Sequence, residues 1–224
     1  MHPDVVLFDL DGTLTESAPG ITRSIAYAID AAGLAPLDDA TLLRFVGPPL
    51  FDSFRDIAGL DDAGAKGAID AYREYFIARG MYENSVYPGI FTLLQALVDD
   101  GCRLAVATSK PTPQAVPIVE HFGLRGFFEI VQGPETDGLR ATKADVLTDV
   151  LQAMGIAPGP EVVLVGDRSH DVIGAHAVGI ECVGVAWGYG SRDELLSSGA
   201  DAIVSDVEEL ADLLGVRDVL PAGN

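Results

Sequence analysis

The sequence predicts an α/β fold with a parallel sheet core and an inserted all-helical cap domain. Short apolar runs alternate with amphipathic segments of helical spacing along most of the chain, which is typical of a sheet covered by helices on both faces. Residues 17–84 break this rhythm, because they contain helical patterns but no convincing strand. We therefore predict a Rossmann-like α/β core of residues 1–16 and 85–224, with a helical cap of residues 17–84.

The core strands are predicted from short apolar runs of the kind that parallel sheets bury on both faces. The first run is at the N-terminus, and the full set lies at residues 5–9, 103–108, 162–166, 181–185 and 202–204. Amphipathic spacing then predicts helices between and after these runs. The clearest of them cover residues 113–122, 143–154, 171–178 and 207–214.

The cap is predicted from four helical patterns that directly follow the first strand. They cover residues 21–32, 39–45, 50–58 and 63–79, with Gly, Pro and Asp between them. Residues 17–20 and 84–88 would be the two hinges. The segment Gly47-Pro48-Pro49 should be a stiff loop, because proline fixes its own φ angle.

Charge and hydropathy exclude two classes of partner. With 14 basic and 34 acidic residues the formal net charge is −20, so the protein should repel nucleic acid and anionic membranes. No stretch approaches the roughly 20 apolar residues that a membrane-spanning helix needs. The N-terminus lacks the basic region of a secretory signal, and we expect a cytoplasmic protein, either a monomer or a homodimer.

Polar side chains follow the ends of three predicted strands, where an open α/β sheet binds its ligands. They would face one crevice together with Lys143, which begins a helix. Two carboxylates about 4 Å apart repel by roughly 4 kcal/mol at an effective dielectric of 20, so such a cluster needs a cation. Oxygen ligands suit Mg²⁺, and a lysine adds a second positive charge. The residues concerned are Asp9, Asp11, Thr108, Ser109, Lys143, Asp167 and Asp171.

The order of these residues resembles a known family. Asp9-Leu10-Asp11-Gly12-Thr13-Leu14-Thr15 is similar to the first motif of the haloacid dehalogenase superfamily of phosphatases, and Thr108, Lys143 and Gly166-Asp167-x-x-x-Asp171 are similar to the second, third and fourth. The resemblance covers almost the whole chain. Four further segments resemble the phosphoglycolate phosphatase-like or 5′-nucleotidase-like subgroup: VGPPL (46–50), ENSVYPG (83–89), GDRSHD (166–171) and WGYG (187–190).

The resemblance implies a Mg²⁺-dependent phosphatase that hydrolyses a small-molecule phosphate monoester through an aspartyl-phosphate intermediate. Asp9 would attack phosphorus, and Asp11 would act first as general acid and then as general base. Asp9, the backbone carbonyl of Asp11 and Asp167 would hold the metal, and Asp171 would orient that shell. The substrate would contact the core at Gly12, Thr13, Thr108, Ser109 and Lys143, and the cap at Arg23, Arg44, Gly47 and Pro48.

Several alternatives stay open at this point. A phosphomutase of the same superfamily would keep the same core motifs, and a protein-tyrosine-phosphate-directed enzyme or a regulatory relative is also compatible with the fold. A dehalogenase would need neither Asp11 nor a metal and is set aside. Three residues near the motifs receive no catalytic role: Arg168, which would contact a core loop or the cap; His170, interpreted as structural; and Lys110, interpreted as a solvated lysine or a source of positive potential.

Overall fold

The computed structural model describes residues 1–135 and 142–216, and all structural statements refer to these residues. Its eight strands are β1 (Val5–Phe8), β2 (Thr15–Glu16), β3 (Ser85–Val86), β4 (Arg103–Ala107), β5 (Ile130–Gln132), β6 (Val162–Gly166), β7 (Glu181–Val185) and β8 (Ala202–Val204). Six of them form one parallel sheet in the order β5-β4-β1-β6-β7-β8. The predicted α/β class is therefore confirmed.

The helices fall into two groups along the described chain. Those inserted between β2 and β3 are α1 (Ala18–Ala31), α2 (Asp39–Leu43), α3 (Leu50–Asp56) and α4 (Asp62–Ala78). Those of the sheet region are α5 (Ile90–Asp99), α6 (Thr112–His121), α7 (Lys143–Met154), α8 (Ser169–Val178), α9 (Arg192–Ser198) and α10 (Val207–Leu214). Two short 3-10 helices lie at Gly80–Tyr82 and Arg125–Phe127. In the described part of the chain, every helix is too short or too polar to cross a bilayer.

Strand β5 and helices α5 and α9 were not predicted individually from the sequence. Strand β5 has only three residues, and a run of that length carries too little periodicity to be recognised. Most predicted helix boundaries are within a few residues of the observed ones, and α7 and α10 begin and end where predicted. The missed strand matters for the site, because β5 pairs with β4 and its last residue supports the loop that follows β4.

The central strand of the sheet is fully buried. Strand β1 lies between β4 and β6, and all four of its residues are buried. Apolar side chains of α7 and α8 cover part of the sheet, including Val146, Leu147, Val150 and Val172. Helix α7 starts with a capping box between Thr142 and Asp145, which fixes the position of its first residue. The packed centre and this cap together determine where the side chains at the strand ends can point.

The chain divides into two compact units. One comprises residues 1–15 and 86–224, and the other comprises Glu16–Ser85. Within the second unit, α1 packs against α4 and the 3-10 helix that follows it. A Cβ atom on Gly20 would lie 1.9 Å from the carbonyl oxygen of Gly80, so glycine is required where these two segments meet. All residues from 17 to 84 are described, and they contain helices and connecting loops but no strand.

Candidate active site

Lys143 joins two carboxylates inside the first unit. As the first residue of α7, it places Nζ 2.7 Å from Oδ1 of Asp9 and 2.7 Å from Oδ1 of Asp171. Asp9 directly follows β1, and Asp171 lies in the first turn of α8. All three side chains are buried. A buried lysine between two buried carboxylates is costly unless each charge is compensated, and here each has a partner of opposite sign.

Burial and charge act in opposite directions on these three groups. Burial alone would lower the pKa of Lys143, but the carboxylates of Asp171 and Asp9 raise it above its ordinary value, so the ammonium stays charged. Burial would raise the pKa of Asp171, but Lys143 holds it below the usual value. For Asp9, burial is the stronger influence, and the pKa is raised despite the nearby ammonium.

Asp167 completes the acidic cluster from the turn after β6. Its Oδ2 accepts a hydrogen bond of 2.7 Å from the backbone N–H of Tyr189, and its Oδ1 lies 3.5 Å from the donating hydroxyl of Thr13. Burial, and then the negative charges of Asp9 and Asp171, raise the pKa of Asp167 to about 7. Lys143 lies within bonding distance of only the other two carboxylates, so the cluster has more negative than positive charge.

The cluster fits a divalent cation. One oxygen from each of Asp9, Asp167 and Asp171 lies within 4.8 Å of the others, and all three residues are buried. Carboxylate oxygens are the ligands that hard cations such as Mg²⁺ and Ca²⁺ prefer. A bound cation would supply the positive charge that the raised pKa of Asp167 indicates is missing.

The Asp11 side chain has a different partner from the acidic cluster. Its Oδ2 is 2.9 Å from Nζ of Lys110. The Lys110 side chain is 7% exposed, so the interpretation of Lys110 as a solvated residue is wrong. The backbone around Asp11 is fixed by a bridge to Thr15 and by a left-handed Gly12, whose N–H donates to the Thr15 carbonyl at 2.8 Å.

Thr108 lies at the end of β4, and its side chain is buried. Its backbone N–H donates to the carbonyl of Gln132 at 3.0 Å, and its hydroxyl accepts from the backbone N–H of Lys110 at 3.1 Å. Ser109 is exposed. Thr108 therefore belongs to a fixed turn at the same edge of the sheet as Asp9, since β1 and β4 are parallel neighbours.

The loop formed by residues 187–190 packs closely around Asp167. A Cβ atom on Gly188 would lie 2.3 Å from the Cβ of Asp167, and one on Gly190 would lie 1.9 Å from the Asp167 carbonyl oxygen. The indole N–H of Trp187 donates to the Thr13 carbonyl at 3.2 Å. In the sequence, this loop is marked only by its resemblance to the subgroup. Its two glycines were the available signal, because glycine permits such close approach.

Arg168 and His170 lie between the two aspartates of the fourth motif, but their side chains are not part of the acidic cluster. Arg168 Nε lies 3.0 Å from Oε1 of Glu194, which also accepts from the N–H of Ser169 at 2.9 Å. Glu194 lies in α9, so this contact of Arg168 is with a helix of the first unit, whereas a core loop or the cap was predicted from the sequence. The His170 side chain is 44% exposed, and its Nε2 is 3.7 Å from Asp171.

The predicted substrate residues of the cap lie in the second unit. Arg23 is 61% exposed and forms an ion pair of 3.2 Å with Glu83. Arg44, Gly47 and Pro48 are exposed, and Gly47 has a φ of 105°, which favours glycine. The positions of these four residues are described, and their contact with a substrate stays a prediction.

Comparison with known families and proteins gives a consistent result. A family model described as haloacid dehalogenase-like hydrolase matches residues 6–185. A 5′-nucleotidase from Pseudomonas aeruginosa is 42% identical over 215 residues, covering 96% of this chain and 94% of the relative. A phosphoglycolate phosphatase from Rhodospirillum rubrum is 34% identical, covering 95% and 91%.

A third relative has a different name. Tyrosine-protein kinase PtkA from Mycobacterium tuberculosis is 45% identical over 218 residues, covering 96% of this chain and 73% of the relative. Among solved structures, a haloacid dehalogenase-like family hydrolase from Streptococcus pneumoniae is 32% identical with a TM-score of 0.85, covering 94% of this chain and 98% of that chain.

Proposed function

Because the chain belongs to the haloacid dehalogenase-like hydrolase family, we propose that this phosphatase is Mg²⁺-dependent and forms an aspartyl-phosphate intermediate. Its substrate is a small-molecule phosphate monoester, either phosphoglycolate-like or a nucleoside 5′-monophosphate. The observation that carries the proposal is the buried Lys143, which lies 2.7 Å from both Asp9 and Asp171 beside a third buried carboxylate, Asp167.

The reaction begins at Asp9. One carboxylate oxygen of Asp9 attacks phosphorus and forms an acyl phosphate, and the bond from phosphorus to the ester oxygen breaks. The leaving oxygen takes a proton from Asp11 and departs as an alcohol. Lys143 stays charged and stabilises negative charge on the phosphoryl oxygens, and the Thr108 hydroxyl, at the same edge of the sheet, binds one of them.

The second half of the reaction restores the enzyme. Asp11 accepts a proton from a water molecule, whose oxygen attacks the phosphorus of the acyl phosphate. The bond from phosphorus to the Asp9 oxygen breaks, and inorganic phosphate leaves. Backbone N–H groups of the turn at Gly12 and Thr13 are donors for the phosphoryl oxygens. Every proton that Asp11 gives in the first half is therefore recovered in the second.

Asp9, the backbone carbonyl of Asp11 and Asp167 would hold Mg²⁺, and Asp171 would orient this shell through Lys143. The bound ion would act as a Lewis acid and reduce the repulsion between the substrate phosphate and the carboxylates. The protein residues supply the rest: they align Asp9 with phosphorus and hold Lys143 beside it.

Substrate choice is assigned to the cap, because the core residues read only the phosphate. The printed names of the relatives support the two substrate classes, since one is a 5′-nucleotidase and another a phosphoglycolate phosphatase. Arg23, Arg44, Gly47 and Pro48 are the cap residues proposed to contact the organic part of the ester.

The test is a hydrolysis screen of phosphate esters with the purified protein in Mg²⁺ and in EDTA. We expect release of inorganic phosphate in Mg²⁺, its loss in EDTA, and its recovery when Mg²⁺ is added back. Acid quenching during turnover should trap phosphate on the wild-type chain and none on Asp9→Asn. Undiminished hydrolysis in EDTA would contradict the metal requirement, and a trapped phosphate on Asp9→Asn would contradict the nucleophile.

The PtkA relative favours a second candidate, transfer of phosphate to a protein tyrosine, because it is 45% identical to this chain. The two functions separate in one assay with ATP and a tyrosine-containing peptide. Phosphotyrosine formed at a rate above that of ester hydrolysis would favour the transferase, and we expect hydrolysis to dominate.

A further inference from the structure

The chain has three lysines, and their environments differ sharply. Lys66 is exposed on α4, Lys143 is buried against Asp9 and Asp171, and Lys110 has a side chain that is only 7% exposed and contacts Asp11. The roles described above use Lys143 and leave Lys110 without one. A side chain of this length that is 7% exposed has lost most of its hydration, so its charge must be compensated locally. The carboxylate of Asp11, 2.9 Å away, compensates it.

The backbone of Lys110 is held in place by the end of β5. A Cβ atom on Gly133 would lie 1.9 Å from the Lys110 carbonyl oxygen, so the two segments are in direct contact. The hydroxyl of Thr112 donates to the Gly133 carbonyl at 2.8 Å and accepts from the Gly133 N–H at 2.9 Å. On the other side, the N–H of Lys110 donates to the Thr108 hydroxyl. Lys110 therefore projects from a fixed turn rather than from a mobile loop.

The contact distinguishes the two oxygens of Asp11. Oδ2 is bound to Lys110, whereas Oδ1 is buried and has no hydrogen-bond partner among the described residues. A carboxylate held by one oxygen has a defined orientation, and the other oxygen remains available for proton transfer. General acid and base catalysis depends on this orientation, because the proton must travel along a hydrogen bond to the reacting atom.

We propose that Lys110 is a positioning residue for Asp11: it binds Oδ2 of the Asp11 carboxylate and thereby presents Oδ1 to the oxygen that leaves phosphorus. This role rests on the proposed phosphatase function, in which Asp11 gives a proton to the leaving oxygen and later takes one from water. The two lysines then have different chemical roles. Lys143 acts beside the nucleophile, and Lys110 acts through the acid and base.

Leaving-group dependence tests this assignment. Phosphoglycolate and nucleoside 5′-monophosphates are alkyl esters, whose leaving oxygen needs a proton, whereas the p-nitrophenolate of p-nitrophenyl phosphate departs without one. We expect Lys110→Met to lower kcat/KM for the faster alkyl ester by about 10²-fold, within the usual range for acid–base catalysis. For p-nitrophenyl phosphate the loss should be less than about tenfold, with KM for both esters changing little.

The other two lysines provide matched controls. Lys143→Met should lower kcat/KM for both esters to a similar extent, because Lys143 acts on the phosphoryl group that the esters share. Lys66→Met makes the same chemical change on an exposed helix surface and should leave kcat/KM for both esters unchanged. If Lys110→Met lowers kcat/KM for both esters by the same factor, the proposal is overturned, and Lys110 is assigned to phosphate binding or to the fold. A rise in KM with unchanged kcat would overturn it in favour of direct substrate contact.

A double-mutant cycle gives an independent readout. If Lys110 acts only through Asp11, the Asp11→Asn and Lys110→Met double variant should lose no more alkyl-ester activity than Asp11→Asn alone. Losses that multiply would overturn the proposal. Thermal unfolding of each variant identifies one that fails to fold, and Lys110→Gln, which keeps a donor, then replaces Lys110→Met in the same cycle. A wild-type protein that hydrolyses neither ester would instead overturn the phosphatase proposal, and the role of Lys110 with it.

Discussion

The two compact units of the molecule bury different kinds of polar side chain. In the unit of residues 1–15 and 86–224, the buried polar residues include four with ionisable side chains: Asp9, Lys143, Asp167 and Asp171. In the unit of residues 16–85, the buried polar residues that the structure describes are three serines, at positions 17, 24 and 53. Its charged side chains are exposed to varying degrees, as the ion pair between Arg55 and Asp62 illustrates.

The difference between the units is one between buried hydroxyl groups and buried charged groups, which differ in what they cost the folded state. A buried hydroxyl costs little once it finds an acceptor, and Ser24 finds one in the Gly20 carbonyl at 2.7 Å. A buried charge costs several kcal/mol unless it is paired, and replacing such a pair by apolar residues often leaves stability unchanged or raises it. A chain that keeps four buried ionisable groups in one cluster is therefore retaining them for a reason other than stability. The core of the inserted unit, among the residues described, buries serine hydroxyls and no charged side chain.

The largest expected effect of any substitution is at Asp9. Asp9→Asn removes the proposed nucleophile, and turnover should fall by more than about 10⁴-fold, with no trapped phosphoenzyme. Asp11→Asn keeps the nucleophile and should lower kcat/KM for an alkyl ester by about 10²–10⁴-fold, with phosphoenzyme still detectable. Acid-quenched samples and steady-state rates measure both. If the two variants lost activity to the same extent and trapped the same amount of phosphoenzyme, the proposed division of roles between Asp9 and Asp11 would be contradicted.

The next effect concerns stability and pH in metal-free protein. The pKa of Asp167 is raised from 3.8 to about 7, so the folded state keeps a proton that the unfolded chain has already lost between these values. The contribution of Asp167 to the free energy of unfolding should therefore fall as pH rises from about 4 to 7, by up to about 4 kcal/mol. Asp167→Asn in EDTA should unfold at a higher temperature than wild type at pH 8 and show a shallower pH slope.

Magnesium provides the control for this prediction. A cation that binds only the folded state stabilises it, and wild type at pH 8 should gain melting temperature on addition of Mg²⁺. Asp167→Asn should gain less, because one of its proposed ligands has changed. A wild type and an Asp167→Asn variant with the same pH slope of melting temperature from pH 4 to 7 in EDTA would contradict the unfavourable charge at Asp167.

A smaller effect is expected in the inserted unit. Replacing Pro48 and Pro49 with glycine should loosen the loop after Gly47, because the fixed φ angles are lost. We expect kcat/KM for the best substrate to fall by roughly tenfold, as for a modest loss in substrate discrimination. For p-nitrophenyl phosphate, which needs few contacts beyond the phosphate, the fall should be smaller. If the ratio of kcat/KM for the best substrate to kcat/KM for p-nitrophenyl phosphate is unchanged in a folded variant, specificity would be assigned instead to Arg23 or to residues 84–88.

The smallest expected effect is at the surface of the same unit. Arg55 pairs with Asp62 at 3.2 Å, and both side chains are about half exposed or more. Arg55→Gln should change the free energy of unfolding by less than about 1 kcal/mol, because water screens such a pair. Denaturant titration checks this, and 1 M NaCl should remove any difference. A larger loss would show that surface charge stabilises this unit more than the comparison implies.

The sequence was sufficient to predict five of the six strands of the sheet and the acidic cluster. Parallel strands leave strong apolar runs, and polar residues that end such runs are brought to one edge by the sheet itself. Asp9, Asp167 and Asp171 come together in the structure for this reason. The role of each residue at a motif position came from the family resemblance rather than from the spacing.

Three features could not be predicted, and each has a physical reason. Strand β5 is three residues long, which is too short to carry a period. The burial of Lys110 depends on a contact between distant segments, since a lysine side chain is long enough to be solvated or buried from the same backbone position. The bond from Tyr189 to Asp167 uses a backbone N–H, which every residue except proline possesses, so no side chain signals it.

The central position of β1 has a consequence for the order of folding. Val5 is synthesised before its partners in the sheet, Arg103 and Val162, which follow about 100 and about 160 residues later. Pairings this distant in sequence form slowly, because a long loop must close before any contact compensates for it. During synthesis the apolar β1 therefore remains unpaired until β4 and β6 have been made. Asp9 can join its cluster only after α7 and β6 have been made. Asp9 is therefore synthesised before the other members of its cluster, and it cannot reach its native contacts until they have followed.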